Sequence, residues 1–348
     1  MPAKPRRVPW TTLLGLLALA ALAALAARNW EHIRTEAREA LALIGAAQPL
    51  WLALGALAIA AGFLCAGQIY GRVLAALGHR APGLWLSAAA LVTMLLSQAL
   101  PVGTVAGYAF LTTSLRRRGV PATSVAVIAS LELLSWGGAM LLLFVYGIVY
   151  VLLTTNDHGL ARASLTGFST VGLLIGVYVF IGSRPRTTML AWAMRLKRLL
   201  DRAVGPVWSE HQVHRTVEEL AHNRQIVLEQ PLRALLLVCL QLSIFALHSL
   251  ALLAILHALG VAVAPLAALA AYGLALIVSA YTLLPAGGGT VEAALTVALT
   301  IQGVPLEAAL GATVLFRLFS FWLMLPVAAL CYRLLLRRPQ SIDHPPIT

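Results

Sequence analysis

This sequence is short of charge. Asp, Glu, Lys and Arg make up 11% of its 348 residues, where a soluble domain carries about a quarter. With 60% apolar residues and a mean hydropathy of +0.86, there is too little polar material to coat a core in water. A soluble enzyme domain is therefore excluded, and lipid is left as the solvent. Period-two alternation is missing too, which excludes spanning β-strands. The apolar stretches are continuous Leu/Ala runs of the ~20 residues that a helix needs to cross a ~30 Å hydrocarbon core. Cysteine is scarce: Cys65, Cys239 and Cys331 each lie inside an apolar run, with neither a metal-type spacing nor a disulfide framework. No G-x-x-x-x-G-K-[ST] phosphate loop, no H-E-x-x-H and no Ser/His or Cys/His pair at nucleophile spacing occurs, so neither an ATP-driven pump nor an enzyme is expected, and no cofactor or metal. His211, His214, Glu218 and His222 share one helical face and read as solvated. Acid is the scarcer sign, 13 against 25 basic residues. The basic residues flank the apolar runs and form no separate domain, which is the positive-inside pattern and not a nucleic-acid footprint.

What is present is a series of spans. Lys4, Arg6 and Arg7 precede an apolar stretch from about Trp10 to Ala27, expected to be retained as an anchor and not cleaved as a signal peptide. Residues 28–48 have an amphipathic spacing and are expected to lie on the outer surface. Further full spans are expected at about 49–70, 121–153, 164–181, 232–256 and 305–336, about six in all. Residues 84–115 and 265–301 are apolar but broken, at Leu100-Pro101-Val102-Gly103 and at Leu284-Pro285-Ala286-Gly287-Gly288-Gly289. The stretch 184–233 is the one sizeable polar segment, basic and amphipathic in its first half, as an interfacial helix on anionic lipid would be.

The two broken stretches are copies. An ungapped offset of 184 carries Pro101 to Pro285, Gly103 to Gly287, Gly119 to Gly303, Val120 to Val304 and Pro121 to Pro305. The span at 49–70 maps onto 233–254 at the same offset. If each broken stretch is a re-entrant hairpin, a cytoplasmic N-terminus puts twenty of the 25 Lys and Arg inside, with both termini and the 184–231 loop. The first hairpin then opens inward and the second outward, so the repeat is inverted. The expectation is an all-α polytopic membrane protein: one transmembrane domain over 1–348, repeat half one at about 49–153 and half two at about 232–336. Transporters of this architecture place their site near the midplane, where the halves meet.

The motifs L-P-V-G-T-V-A-G-Y (100–108), Glu132, L-P-A-G-G-G-T-V-E-A (284–293), G-V-P (303–305) and Arg317 resemble the transmembrane domain family of lysylphosphatidylglycerol synthase. The resemblance runs from about residue 45 to 335. It implies a bacterial-type inner-membrane protein that flips charged or glycosylated lipids between leaflets. Tyr108 stands where the family often has an acid, and Glu132-Leu133-Leu134-Ser135-Trp136 stands where it often has E-R-x-x-D. The chain closes soon after its last span, so the synthase's soluble aminoacyl-transfer domain is expected to be missing, and lipid lysinylation with it.

Glu132 and Arg317 fall near mid-membrane, one position apart under the offset, and each has a serine one turn on, Ser135 and Ser320. A charge at that depth costs at least ~2.5–3.5 kcal/mol on insertion scales unless paired or hydrated. Arg317 therefore needs a partner, and Glu132 and Glu292 are its two candidates. The residues admit a substrate or proton site built from Glu132, Glu292, Arg317, Tyr108, Ser135 and Ser320, or a structural ion pair locking the halves. Pro101, Gly103, Gly107, Pro285, Gly287, Gly288 and Gly289 either shape half-helices whose N-termini hold a phosphate or permit close packing. Arg116, Arg117 and Arg118 either gather lipid head groups or only anchor the topology. The expected function is movement of a lipid or lipid-linked head group, coupled to protons or downhill. The alternatives are a transporter of a small solute and a non-transporting partner of a lipid-modifying enzyme.

Overall fold

The computed structural model describes residues 30–100, 103–154, 185–204, 209–211, 213–214, 217–218, 231–280 and 289–337. The expected spans at 10–27 and 164–181, together with Pro101, Pro285, Gly287, Gly288 and His222, lie outside these residues. Within them the protein is all-helical. In chain order the helices are α1 (Trp30–Gly45), α2 (Pro49–Ala76), α3 (Gly83–Ala99), α4 (Gly103–Arg116), α5 (Ala122–Thr154), α6 (Arg186–Val204), α7 (Pro231–Ala258), α8 (Pro265–Ala280), α9 (Thr290–Ile301), α10 (Leu306–Arg317) and α11 (Met324–Arg337). A π-helical turn, Leu318–Trp322, joins α10 to α11. Four stretches are long and apolar enough to cross a membrane: Pro49–Ala76, Ser124–Thr154, Pro231–Ala258 and Leu306–Leu336. The amphipathic α6 falls where the basic segment predicts a helix.

Antiparallel α2 and α7 form the centre. The Gln48 amide at the start of α2 donates to the Ala258 carbonyl at the end of α7, 2.9 Å away. The seam then passes through small residues, since a Cβ on Gly62 would lie 2.9 Å from the His248 ring. Tyr70, Ile59, Leu252 and Ile255 are fully buried along it.

The broken stretches are helical hairpins. In the first, α3 and α4 approach so closely that a Cβ on Gly107 would sit 2.6 Å from the Thr93 carbonyl. Its two ends meet where the Arg118 guanidinium lies over the Trp85 ring, 4.2 Å from the centroid. In the second, α8 and α9 pack together.

Each hairpin also leans on the other half of the chain. Helix α3 packs on α11, and α8 packs on α5. On the α5–α8 face, a Cβ on Gly273 would lie 2.6 Å from the Leu143 carbonyl, and the Tyr146 hydroxyl donates to the Leu266 carbonyl at 3.0 Å.

The turns after the two hairpins are alike bond for bond. After α4, the Arg118, Gly119 and Val120 amides donate to the carbonyls of Leu115, Arg116 and Leu115. After α9, Gln302, Gly303 and Val304 donate to Leu299, Thr300 and Leu299. Gly119 and Gly303 both take a left-handed φ, 79° and 82°, which closes a helix C-terminus and suits glycine alone without strain.

Three features differ from the sequence expectation. The spans α2 and α7 correspond at an offset of 182, since Pro49–Ala76 and Pro231–Ala258 are both 28 residues long; the change to 184 falls between the start of α8 and the turn after α9. The last span is not a uniform α-helix. Pro326 has no amide to donate to the Trp322 carbonyl, and the backbone widens just ahead of it, with Leu323 donating back to Leu318 at 2.8 Å. Finally, α1 does more than lie on a surface. It packs on α10, where Ala40 is 5% exposed.

Candidate functional site

Arg317 is the last residue of α10, about 16 Å along that helix at 1.5 Å per residue. It is 8% exposed. Its Nε donates to Glu292 Oε1 at 2.7 Å, its Nη1 donates to Gln98 Oε1 at 3.5 Å, and its guanidinium carbon lies 4.9 Å from the Phe321 ring centroid. Three elements are joined here: α9 through Glu292 in its first turn, the end of α3 through Gln98, and the π turn through Phe321. Helix α9 packs directly on α10, with the Thr296 hydroxyl donating to the Thr313 hydroxyl at 3.2 Å, which brings Glu292 to Arg317. The second carboxylate oxygen of Glu292 is buried without a hydrogen bond. Of the two candidate partners for Arg317, the structure selects Glu292.

Glu132 sits in a separate group. The Tyr108 hydroxyl of α4 donates to its Oε2 at 3.0 Å. The fully buried Tyr70 of α2 faces the same carboxylate without a hydrogen bond of ordinary geometry, and so does Thr93 of α3 face Tyr70. Ser135 is buried and donates to the Glu132 backbone carbonyl at 3.0 Å, so its hydroxyl serves the helix. Ser320 is half-buried in the π turn. Helix α3 runs between the groups, with Thr93 beside one and Gln98 beside the other.

Exposed apolar residues stand near both groups along the chain. Leu100, Val105 and Leu133 are 45%, 66% and 63% exposed, and Gln98 is exposed beside them.

The arginine triplet divides. Arg116 is exposed. Arg117 donates to the Leu336 carbonyl near the end of α11. Arg118 is buried on Trp85, where desolvation pulls its pKa below the usual guanidinium value and the ring face stabilises its charge. Of the four-residue polar face in the 184–231 loop, Glu218 pairs with Arg186, and the described residues hold no group of three metal-ligand side chains.

Tyr70, Thr93, Gln98 and the π turn were not singled out in the sequence. Gln98 carried a signal, an amide directly before the first break. Tyr70 and Thr93 carried none, because a lone hydroxyl in a span usually bonds its own backbone.

Four helical stretches long and apolar enough to cross a membrane, with an Arg317–Glu292 pair among them, define a polytopic α-helical membrane protein. The chain belongs to the family of the lysylphosphatidylglycerol synthase TM region, whose model matches residues 10–328 of the 348. No curated protein matches it.

Proposed function

We propose that this protein moves a lipid, or the head group of one, between the leaflets of a bacterial-type inner membrane. It does so by alternately exposing a polar site between two re-entrant hairpins, without ATP hydrolysis and without covalent chemistry of its own. The observation that carries this reading is Arg317. It is held by Glu292 of half two and reaches Gln98 of half one, an exposed residue two positions before exposed Leu100. An arginine beside a lipid-facing apolar surface suits an anionic or glycosylated head group whose acyl chains stay in the bilayer. A small water-soluble solute would call for an enclosed aqueous path instead. The family takes its name from a lysylphosphatidylglycerol synthase, which also supports a lipid as cargo.

Alternating access is supported by the likeness of the halves. The contacts of α2 with α3, α3 with α4, α4 with α5 and α3 with α11 are matched by those of α7 with α8, α8 with α9, α9 with α10 and α8 with α5. The two hairpin helices whose ends are both described are short for spanning: α3 has 17 residues and α9 has 12. At 1.5 Å per residue the longer reaches about 26 Å, short of a ~30 Å core. The mouth of the first hairpin, Trp85 and Arg118, adjoins the basic end of α11 through Arg117. The mouth of the second, at Ile301 and Gln302, adjoins Tyr150 and Thr154 at the far end of α5. This supports opposite openings and a cytoplasmic basic end, with both termini inside.

The test is reconstitution in vesicles with fluorescent lipids and leaflet-selective quenching. The protein should accelerate lipid movement, and Arg317→Ala should abolish it in protein that remains folded. Full lipid movement in stable Arg317→Ala protein would overturn the assignment. A folded wild-type protein that moves no lipid would favour the partner of a lipid-modifying enzyme.

A further inference from the structure

The halves carry a polar pair at matching positions with the charges rearranged. An offset of 184 takes Tyr108 to Glu292 and takes Glu132 to 316, next to Arg317. In half two the pair is an anion and a cation at 2.7 Å. In half one it is a phenol donating to a carboxylate at 3.0 Å, with no cation in reach among the described residues. Glu132 lies about 15 Å along α5 from Ala122 at 1.5 Å per residue, where an uncompensated charge is costly. The groups facing it are Tyr108 from α4 and Tyr70 from α2, with Thr93 of α3 behind Tyr70. Helices α7 and α8, also packed on α5, turn no charged or titratable group toward it among the described residues.

Two of the neighbouring hydroxyls are buried and turned toward this group. Tyr70 is 0% exposed and Thr93 3% exposed; Tyr70 faces Glu132 and Thr93 faces Tyr70, in neither case with a hydrogen bond of ordinary geometry. A hydroxyl both donates and accepts. Beside an ionised carboxylate such a group turns to donate, and beside a protonated one it accepts. Hydroxyls that can turn to donate or to accept therefore suit a lone carboxylate with two protonation states. A hard metal cation takes about six oxygen ligands, more than one carboxylate and three hydroxyls offer.

We propose that Glu132, caged by Tyr70, Thr93 and Tyr108, is a proton-binding site distinct from the Arg317–Glu292 bridge. Its carboxylate takes a proton from water on one side and returns it on the other as the cleft changes the side to which it opens. What the proton drives rests on the transport reading above; the site itself does not.

The experiment is infrared difference spectroscopy of the full chain in nanodiscs, stepping pH and following the carboxylic-acid carbonyl stretch. Wild type should show a titrating band that Glu132→Gln loses and Glu292→Gln keeps. Tyr108→Phe should keep the band but shift its frequency and midpoint, because the carboxyl loses its donor. Survival of the band in Glu132→Gln overturns the proposal, as does a band that responds to sodium at constant pH. Should Glu132→Gln not fold, an unshifted band in folded Tyr108→Phe overturns it. In vesicles, lipid movement by wild type should follow an imposed pH gradient and that by Glu132→Gln should ignore it; a Glu132→Gln protein that still follows the gradient overturns it as well. If wild type moves no lipid while the band behaves as expected, the transport reading fails and the proton site stands.

Discussion

Arg317 shows how far a single residue constrains its surroundings. A guanidinium does not shed its proton at any accessible pH, so at membrane depth it must be met by an anion, by water or by a phosphate. That necessity was legible in the sequence, and so were the two acids able to meet it. The choice between them was not, because it depends on which helix packs on α10. Helix α9 does, and it carries Glu292. Removing one partner leaves the other charge orphaned. Arg317→Ala should therefore lower stability by about 2 kcal/mol, less than the ~3–5 kcal/mol of a fully enclosed pair, since the Glu292 side chain keeps 30% of its exposure. Adding Glu292→Gln should restore part of the loss, and adding Glu132→Gln should restore none. Thermal unfolding of the three variants in detergent checks this. Equal rescue by both glutamines would mean that the bridge is not the specific contact drawn here.

Among the elements, the hairpins were the most legible, because proline and glycine interrupt a helix for reasons that do not depend on the rest of the fold. The left-handed glycines of the two turns follow from the same local rule. Less legible was the register of α2 against α7, where Leu and Ala repeat so often that offsets of 182 and 184 read alike. The π turn was hidden for a different reason: Pro326 sits inside a run whose apolar pattern is unbroken. Close approach at Gly107 is a property of two helices together, and it yields a sharp contrast. Gly107→Ala drives a methyl into the Thr93 carbonyl and should destabilise the protein by roughly 1–3 kcal/mol. Gly137→Ala on α5 meets nothing within 4 Å and gains helix propensity, so it should be neutral or slightly stabilising. Chemical unfolding of both variants, reported by tryptophan fluorescence, decides the matter, and a Gly107→Ala protein as stable as wild type would refute the tight hairpin.

At the scale of the molecule, the distribution of basic residues gives a sidedness that can be measured directly. In a background lacking Cys65, Cys239 and Cys331, a cysteine at Ser209 should react with a membrane-impermeant maleimide only from the cytoplasmic side. One at Thr154, exposed at the far end of α5, should react only from outside. The reverse pattern would invert the threading, and labelling of both from one side would abolish the opposed hairpins.

The reciprocal packing of the hairpins bears on how the chain is made. Helix α3 leaves the ribosome early, yet one of its supports, α11, is the last helix among the described residues. Synthesis proceeds from the N-terminus, so for most of the time that the protein is being built the first hairpin stands without that neighbour. A ribosome that stops between Thr154 and Met324 releases a chain in which α2 to α5 are fully synthesised and the first hairpin still lacks α11. A membrane protease that recognises an unsupported hairpin would find its substrate in copies that stop short of α11, and docking of α11 on α3 would remove it.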